Sequence, residues 1–209
     1  PTGWGVEQQI TCVDGSTFQM YMANMKSIFM DMIKNTDMVI FNRCKEDDPL
    51  PTYRRGIKVA NQRAEVIFED EEGEMGDIFQ DEMPFDMDAP VIDILPEDYG
   101  IWFVDAMDHP ENYEGKTVKF KARVMKPRGM GSKFFVPGRV AMTCCADDTS
   151  FLGYVCRSAY APKLNAGDWV KIRAKVRYAN LSVYGGEGPV LEAENIEPAE
   201  PIEELVYFN

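Results

Sequence analysis

An α/β segment followed by an all-β barrel is the fold class that this sequence predicts, and three observations predict it. Up to Phe68, apolar runs of strand length alternate with helical periodicity. From Glu69 to Asp88 the composition turns acidic, with Gly and Pro, as in a linker. After Pro96 come five short runs separated by turn residues, which suit an OB-like five-stranded β-barrel, with an SH3-like barrel as the competing topology. The corresponding domains are residues 1–90, the α/β part with its acidic linker, and 91–209, the barrel.

In the first part, Gln8 to Val13 reads as a short buried strand closed by a turn at Asp14-Gly15. Ser16 and Gln19 form a capping box. Phe18, Met22, Met25, Phe29, Met32 and Ile33 then recur at three- and four-residue spacing, one apolar stripe on an amphipathic helix. Met38-Val39-Ile40-Phe41 is apolar without alternation, as expected of a strand buried on both faces of a parallel sheet. A helix around Tyr53 to Gln62 and a strand from Ala64 to Phe68 complete half of a wound α/β domain.

The five barrel strands are expected at Thr117 to Met125, Phe134 to Met142, Gly153 to Arg157, Trp169 to Tyr178 and Val190 to Ile196. Turn residues at Gly129 to Ser132, Asn165 to Asp168 and Gly185 to Gly188 separate them. The basic residues Lys119, Lys121 and Arg123 alternate with Val118, Phe120 and Ala122, the pattern of a solvated strand face.

Composition narrows the function classes. A formal net charge of -13 opposes phosphate backbones, which disfavours nucleic acid as a partner. No run of eighteen apolar residues is present, so no membrane-spanning helix is expected. Five cysteines, an odd number without framework spacing, fit a reducing, cytoplasmic setting.

Two constellations carry candidate chemistry. The first joins Cys12-Val13-Asp14-Gly15 to Asp37 through Cys44, and includes Asn42-Arg43. Here the chain resembles the CobW-type family of P-loop GTPases, in which one strand ends in Val-Asp and the next in Asn-Lys-x-Asp. Lys58 to Val66 also looks like that family's following Asn-x-x-Ala stretch. The resemblance implies a partial parallel-sheet P-loop GTPase-like half, with Asp14, Asn42 and Arg43 at the nucleotide edge and Asn42 at the base. The sequence departs from the pattern in having Arg43 for Lys and Lys45 for the specificity Asp. It also contains no Gly-x-x-x-x-Gly-Lys-Ser/Thr loop, so the chain is expected to be non-catalytic, with GTP bound only in a parent protein whose P-loop half precedes Pro1; the alternative is that the domain has degenerated.

The second constellation runs from Gly138-Arg139 through Cys144-Cys145-Ala146-Asp147-Asp148 to Cys156. There, and at His109 to Lys116, Asp168 to Val170, Gly188 to Leu191 and Pro201 to Phe208, the chain looks like the uncharacterised YcgQ-type family, whose C-terminal domain carries an Arg and a Cys-Cys-x-x-Asp element. Family members often neighbour a permease, which implies metal or metalloid handling. By chemistry, Cys144, Cys145, Asp147 and Cys156 could hold a soft metal such as zinc if the backbone turns at the Cys pair. The alternative is that one of the paired thiols packs in the barrel and the other is a small half-exposed residue.

The function expected is that of a non-catalytic fragment of a GTPase-like protein of metal homeostasis, whose OB-like domain binds a metal ion or a partner. Its partner would be its own missing N-terminal half or another subunit, and a homo-oligomer is one form this takes. Two alternatives stand beside it: a protein interaction module without metal, marked by an exposed apolar patch where further strands should pair, and an OB-type domain for single-stranded nucleic acid.

Overall fold

The computed structural model describes residues 5–76, 83–142, 149–202 and 205–206. They fall into two compact units, the second beginning at Met83.

The first unit is a three-stranded parallel sheet in the order β1 (Ile10–Asp14), β2 (Met38–Asn42), β3 (Glu65–Phe68). The connections are helices α1 (Gly15–Ile33) and α2 (Leu50–Ala60). Both helices cover one face, because Phe18 of α1, Tyr53 of α2 and Phe41 of β2 meet in one aromatic cluster, with Phe18 centred 4.9 Å from Phe41 and 4.6 Å from Tyr53. Val13, Val39, Leu50, Ile57 and Phe68 complete this core. Side chains tie the connections down: Asn61 donates to the carbonyls of Ile33 and Thr36 at 2.8 and 2.7 Å, and the Thr11 and Thr36 hydroxyls share a bond of 2.6 Å.

Three expectations are corrected here. Among the described residues burial alternates along β1 and β2: Val13, Val39 and Phe41 are buried on one face, while on the other Met38 and Ile40 are half-buried and Ile10 and Cys12 exposed. The cap of α1 is Asp14 and not Ser16: it sits in an extended conformation and its side chain accepts from the Ser16 amide. The expected stripe on α1 also divides. At Met25 the backbone leaves helical geometry, with φ -137 and ψ 31, and Met25 and Met32 lie at the surface while Phe18, Met30 and Ile33 are buried.

The second unit is a closed five-stranded barrel. Its strands are β5 (Thr117–Met125), β6 (Phe134–Met142), β8 (Val155–Arg157), β9 (Trp169–Leu181) and β10 (Gly186–Pro198). They pair around the ring in the order β5-β9-β10-β8-β6 and back to β5. All these pairs are antiparallel except β8 with β10. An OB-like barrel fits this arrangement. The short β4 (Ile92–Asp93) adds in parallel to β5, and β7 (Thr149–Gly153) flanks β6. The single strand expected at Gly153 to Arg157 is thus two, β7 and β8, broken at Tyr154.

The strand pattern after Pro96 does not predict α3 (Tyr99–Asp108), whereas the one-turn α4 (Pro110–Tyr113) begins where the His109-Pro110 pair reads as the start of a turn or short helix. α3 packs into the barrel interior: the Trp102 ring is centred 4.9 Å from Phe120 of β5, and Phe103 stacks on Tyr154 at 4.7 Å. Its carbonyls also receive barrel hydroxyls, Tyr154 donating to Phe103 and Tyr178 to Ala106. Buried Arg139 of β6 donates to the Pro96 carbonyl at 2.9 Å and lies over the Tyr99 ring. Between β6 and β7 the backbones approach so closely that a Cβ on Gly138 would lie 2.2 Å from the Leu152 carbonyl oxygen.

Candidate functional site

The carboxyl edge of the parallel sheet gathers the residues of the first constellation. Asp14 and Asn42 are direct partners in the β1–β2 register, which places both strand ends where open α/β sheets receive ligands. Asp14 ends β1 and starts α1 at once. One carboxylate oxygen accepts from the Ser16 hydroxyl at 2.6 Å and from the Ser16 amide at 3.1 Å. The other accepts from Arg43 at 2.8 Å. The Ser16 hydroxyl, with help from that amide and from Arg43, holds the carboxyl below the usual carboxylate range.

Arg43 reaches Asp14 from a left-handed backbone, φ 55, the one non-glycine residue with positive φ among those described. Beside it, the end of β2 presses on the first turn of α1: a Cβ on Gly15 would lie 2.9 Å from the Cys44 sulfur and 3.1 Å from the Asn42 carbonyl oxygen. Glycine is what lets these two segments meet. Cys44 is buried there, and burial pushes its thiol up to about 11. The side-chain oxygen of Asn42 is buried without a hydrogen-bond partner among the described residues. Chemically, the edge is internally neutralised, since the arginine charge and the Ser16 amide, one of the free amides of the first turn of the helix, both go to Asp14.

A second feature lies along the outer edge of β1. A cleft of about 250 Å³ runs between Thr11 to Asp14 and α1, walled by Tyr21, Met25, Ile28 and Met32. Ile28 is 62% exposed and Met32 55%. Among the described residues no strand pairs with this edge of β1. Sequence reasoning missed the cleft because it assigned Met25 and Met32 to the core. The available signal was the excess of apolar residues on α1, where Met20, Tyr21 and Ile28 fall outside any single stripe.

Of the metal candidates, Cys144, Cys145 and Asp147 lie outside the described residues. Cys156 is fully buried in β8, opposite Phe135 on one side and Leu191 on the other, and burial raises its thiol far above the usual cysteine range. Among the described residues no group of three or more His, Cys, Asp or Glu is placed to hold a metal ion. No helix among them is long and apolar enough to cross a membrane.

Comparison with known proteins bears on the second unit above all. No curated protein matches the chain. Among solved structures, an aspartyl tRNA synthetase from Entamoeba histolytica is similar at 15% identity and a TM-score of 0.27, over 43% of this chain and 20% of that one. The mitochondrial single-stranded DNA binding protein Rim1 from S. cerevisiae is similar at 10% identity and a TM-score of 0.27, over 43% of this chain and 100% of that one. The family model of the DUF1980 C-terminal domain matches residues 72–208, which include every strand of the barrel. With well over half its length in that match, the chain belongs to the family of the DUF1980 C-terminal domain.

Proposed function

We propose that this protein is a non-catalytic interaction module whose three-stranded sheet is completed by an extended apolar polypeptide segment adding alongside β1. The observation that carries the reading is the cleft between the outer edge of β1 and the exposed apolar residues of α1. A free strand edge offers unpaired backbone groups, and soluble proteins guard such edges with lysine, proline or a bulge. β1, with the sequence ITCVD, carries neither lysine nor proline. Strand addition there supplies main-chain hydrogen bonds, while Tyr21, Ile28 and Met32 receive alternate side chains of the incoming segment.

The CobW-type resemblance supplies one source for that segment, the strands of a GTPase-like half that come before Val13-Asp14. In that finer reading Asp14 and Asn42 line the nucleotide edge of the completed sheet, and the barrel is the part that carries the family's own ligand.

In the isolated protein the apolar segment at hand is a second copy. Sedimentation velocity across a concentration series is therefore expected to show the mass rising above that of the monomer, and Ile28→Glu to return it to the monomer. A monomer at every concentration, with Cys12 alkylated as fast as a free thiol, sinks the reading.

A further inference from the structure

The barrel carries a charge segregation that the net charge of the chain conceals. Residues 115–167 contain ten Lys or Arg against two acidic residues, Asp147 and Asp148, in a chain whose formal net charge is -13. Pairing of β6 with β8 concentrates part of this set. Phe134 stands directly opposite Arg157, and the Ser158 amide donates to the Lys133 carbonyl at 2.9 Å, which brings the residues after β8 alongside the loop before β6. Tyr160 follows, held by a bond from its amide to the Ser158 hydroxyl at 3.0 Å. Lys126 donates to the Ala161 carbonyl at 2.8 Å and so closes the same neighbourhood from the end of β5.

Two large aromatic rings are left at the surface here. Phe134 is 36% and Tyr160 46% exposed, whereas Tyr99, Trp102, Tyr113 and Tyr154 are buried in the barrel unit. Each exposed ring has a cation at hand: Arg157 is the strand partner of Phe134, and the Lys163 ammonium lies 5.2 Å from the Tyr160 ring centroid. A ring beside a cation, present twice on this face, offers what a single nucleic-acid strand uses, a base on the ring and its phosphate on the charge. An acidic peptide would use the cations and leave the rings wet. A lipid surface would call for aliphatic side chains at the tip.

We propose that this face, formed by Lys133, Phe134, Arg157, Tyr160 and Lys163, binds single-stranded nucleic acid. The remaining acidic charge acts against a long strand but is screened beyond roughly 8 Å at physiological ionic strength. Binding is therefore weak and steeply dependent on salt. This proposal is independent of strand addition at β1, and either can fail alone.

The test is fluorescence anisotropy of the full chain with a labelled oligothymidylate of about fifteen residues, from about 20 to about 150 mM salt. Three to four phosphate contacts give a log–log salt slope of about -2 to -3, and Lys133→Ala with Lys163→Ala flattens it by about 1. Phe134→Ala and Tyr160→Ala each weaken binding about tenfold. Should Phe134→Ala unfold the barrel, Arg157→Glu at its exposed position reads the same face. The proposal is overturned by the absence of saturable binding at the lowest salt, or by binding that neither aromatic substitution changes. It is equally overturned if a polyglutamate peptide or vesicles of anionic lipid bind this face as tightly as the oligonucleotide does.

Discussion

Arg43 adopts a left-handed backbone, φ 55, and from it donates to the Asp14 carboxylate at 2.8 Å, so that the end of β2 and the start of α1 are joined by one ion pair. A residue with a Cβ gives up about 1 to 2 kcal/mol in this conformation relative to the right-handed one. The pair itself is solvent-exposed and adds little stability, because water and salt screen it.

Arg43→Gly should therefore raise the midpoint of thermal unfolding, as relief of the backbone exceeds the loss of the ion pair. Arg43→Val, which keeps the strain, adds a branched side chain and removes the charge, should lower it. Differential scanning calorimetry of the three proteins gives the order, and a wild type more stable than the glycine variant would mean that the pair counts for more than its exposure allows.

Gly138 and Leu152 supply a prediction about the barrel. With only 2.2 Å between a Cβ at position 138 and the Leu152 carbonyl oxygen, Gly138→Ala forces β6 away from β7. The expected loss is about 3 kcal/mol, the upper range for overpacking. Urea unfolding followed by tryptophan fluorescence reads it, with Gly131→Ala as a surface control.

The pH dependence of stability should carry a contribution from Asp105. Burial raises its carboxyl above the ordinary 3.8, a shift that the Tyr113 hydrogen bond and His109 offset in part. The folded state then holds the proton more tightly than the unfolded chain, so stability from this residue is present below the unfolded value and falls as the pH rises through the folded one. Asp105→Asn keeps an acceptor for Tyr113 and removes the charge. It should be more stable than the wild type at neutral pH, with the difference vanishing as the pH falls below the ordinary carboxylate range. A difference that does not change with pH would contradict this.

Thiol chemistry separates the described cysteines. Cys12 is exposed, whereas Cys44 and Cys156 are buried with raised pKa values, so alkylation near pH 8 mapped by peptide mass should modify Cys12 first and the other two only on unfolding. The same burial decides the zinc experiment: Cys156→Ala should titrate as the wild type does, because its thiol is sealed between Phe135 and Leu191, while Cys144→Ser with Cys145→Ser should abolish any stoichiometric uptake. Loss of uptake in Cys156→Ala would put that thiol in the coordination sphere.

Where burial followed a simple period, the sequence was readable to the residue. Thr117–Met125 coincides with β5, since one face points into the barrel and burial alternates along it, and Phe134–Met142 coincides with β6 although Phe135 to Arg139 are buried without alternation. The parallel pairing of Asp14 with Asn42 was likewise visible, from two strand-length runs with a helical pattern between them. α3 was not, because Tyr99, Trp102, Phe103, Val104 and Ala106 are buried around most of its circumference and leave no polar face to mark the helical period. Nor could any local pattern show that Phe134 meets Arg157, a pairing made by barrel closure across more than twenty residues. The left-handed turn at Arg43 was hidden for another reason: glycine or asparagine would have announced it, and arginine does not.

β10 is bonded on both sides, to β9 along nearly its whole length and to β8 in the one parallel seam of the ring. Cutting the chain before Gly186 would open both seams together and leave the interior around Trp102 and Phe120 facing water. The ring therefore cannot be completed until its last strand has been synthesised, and premature termination in that stretch removes the barrel rather than shortening it.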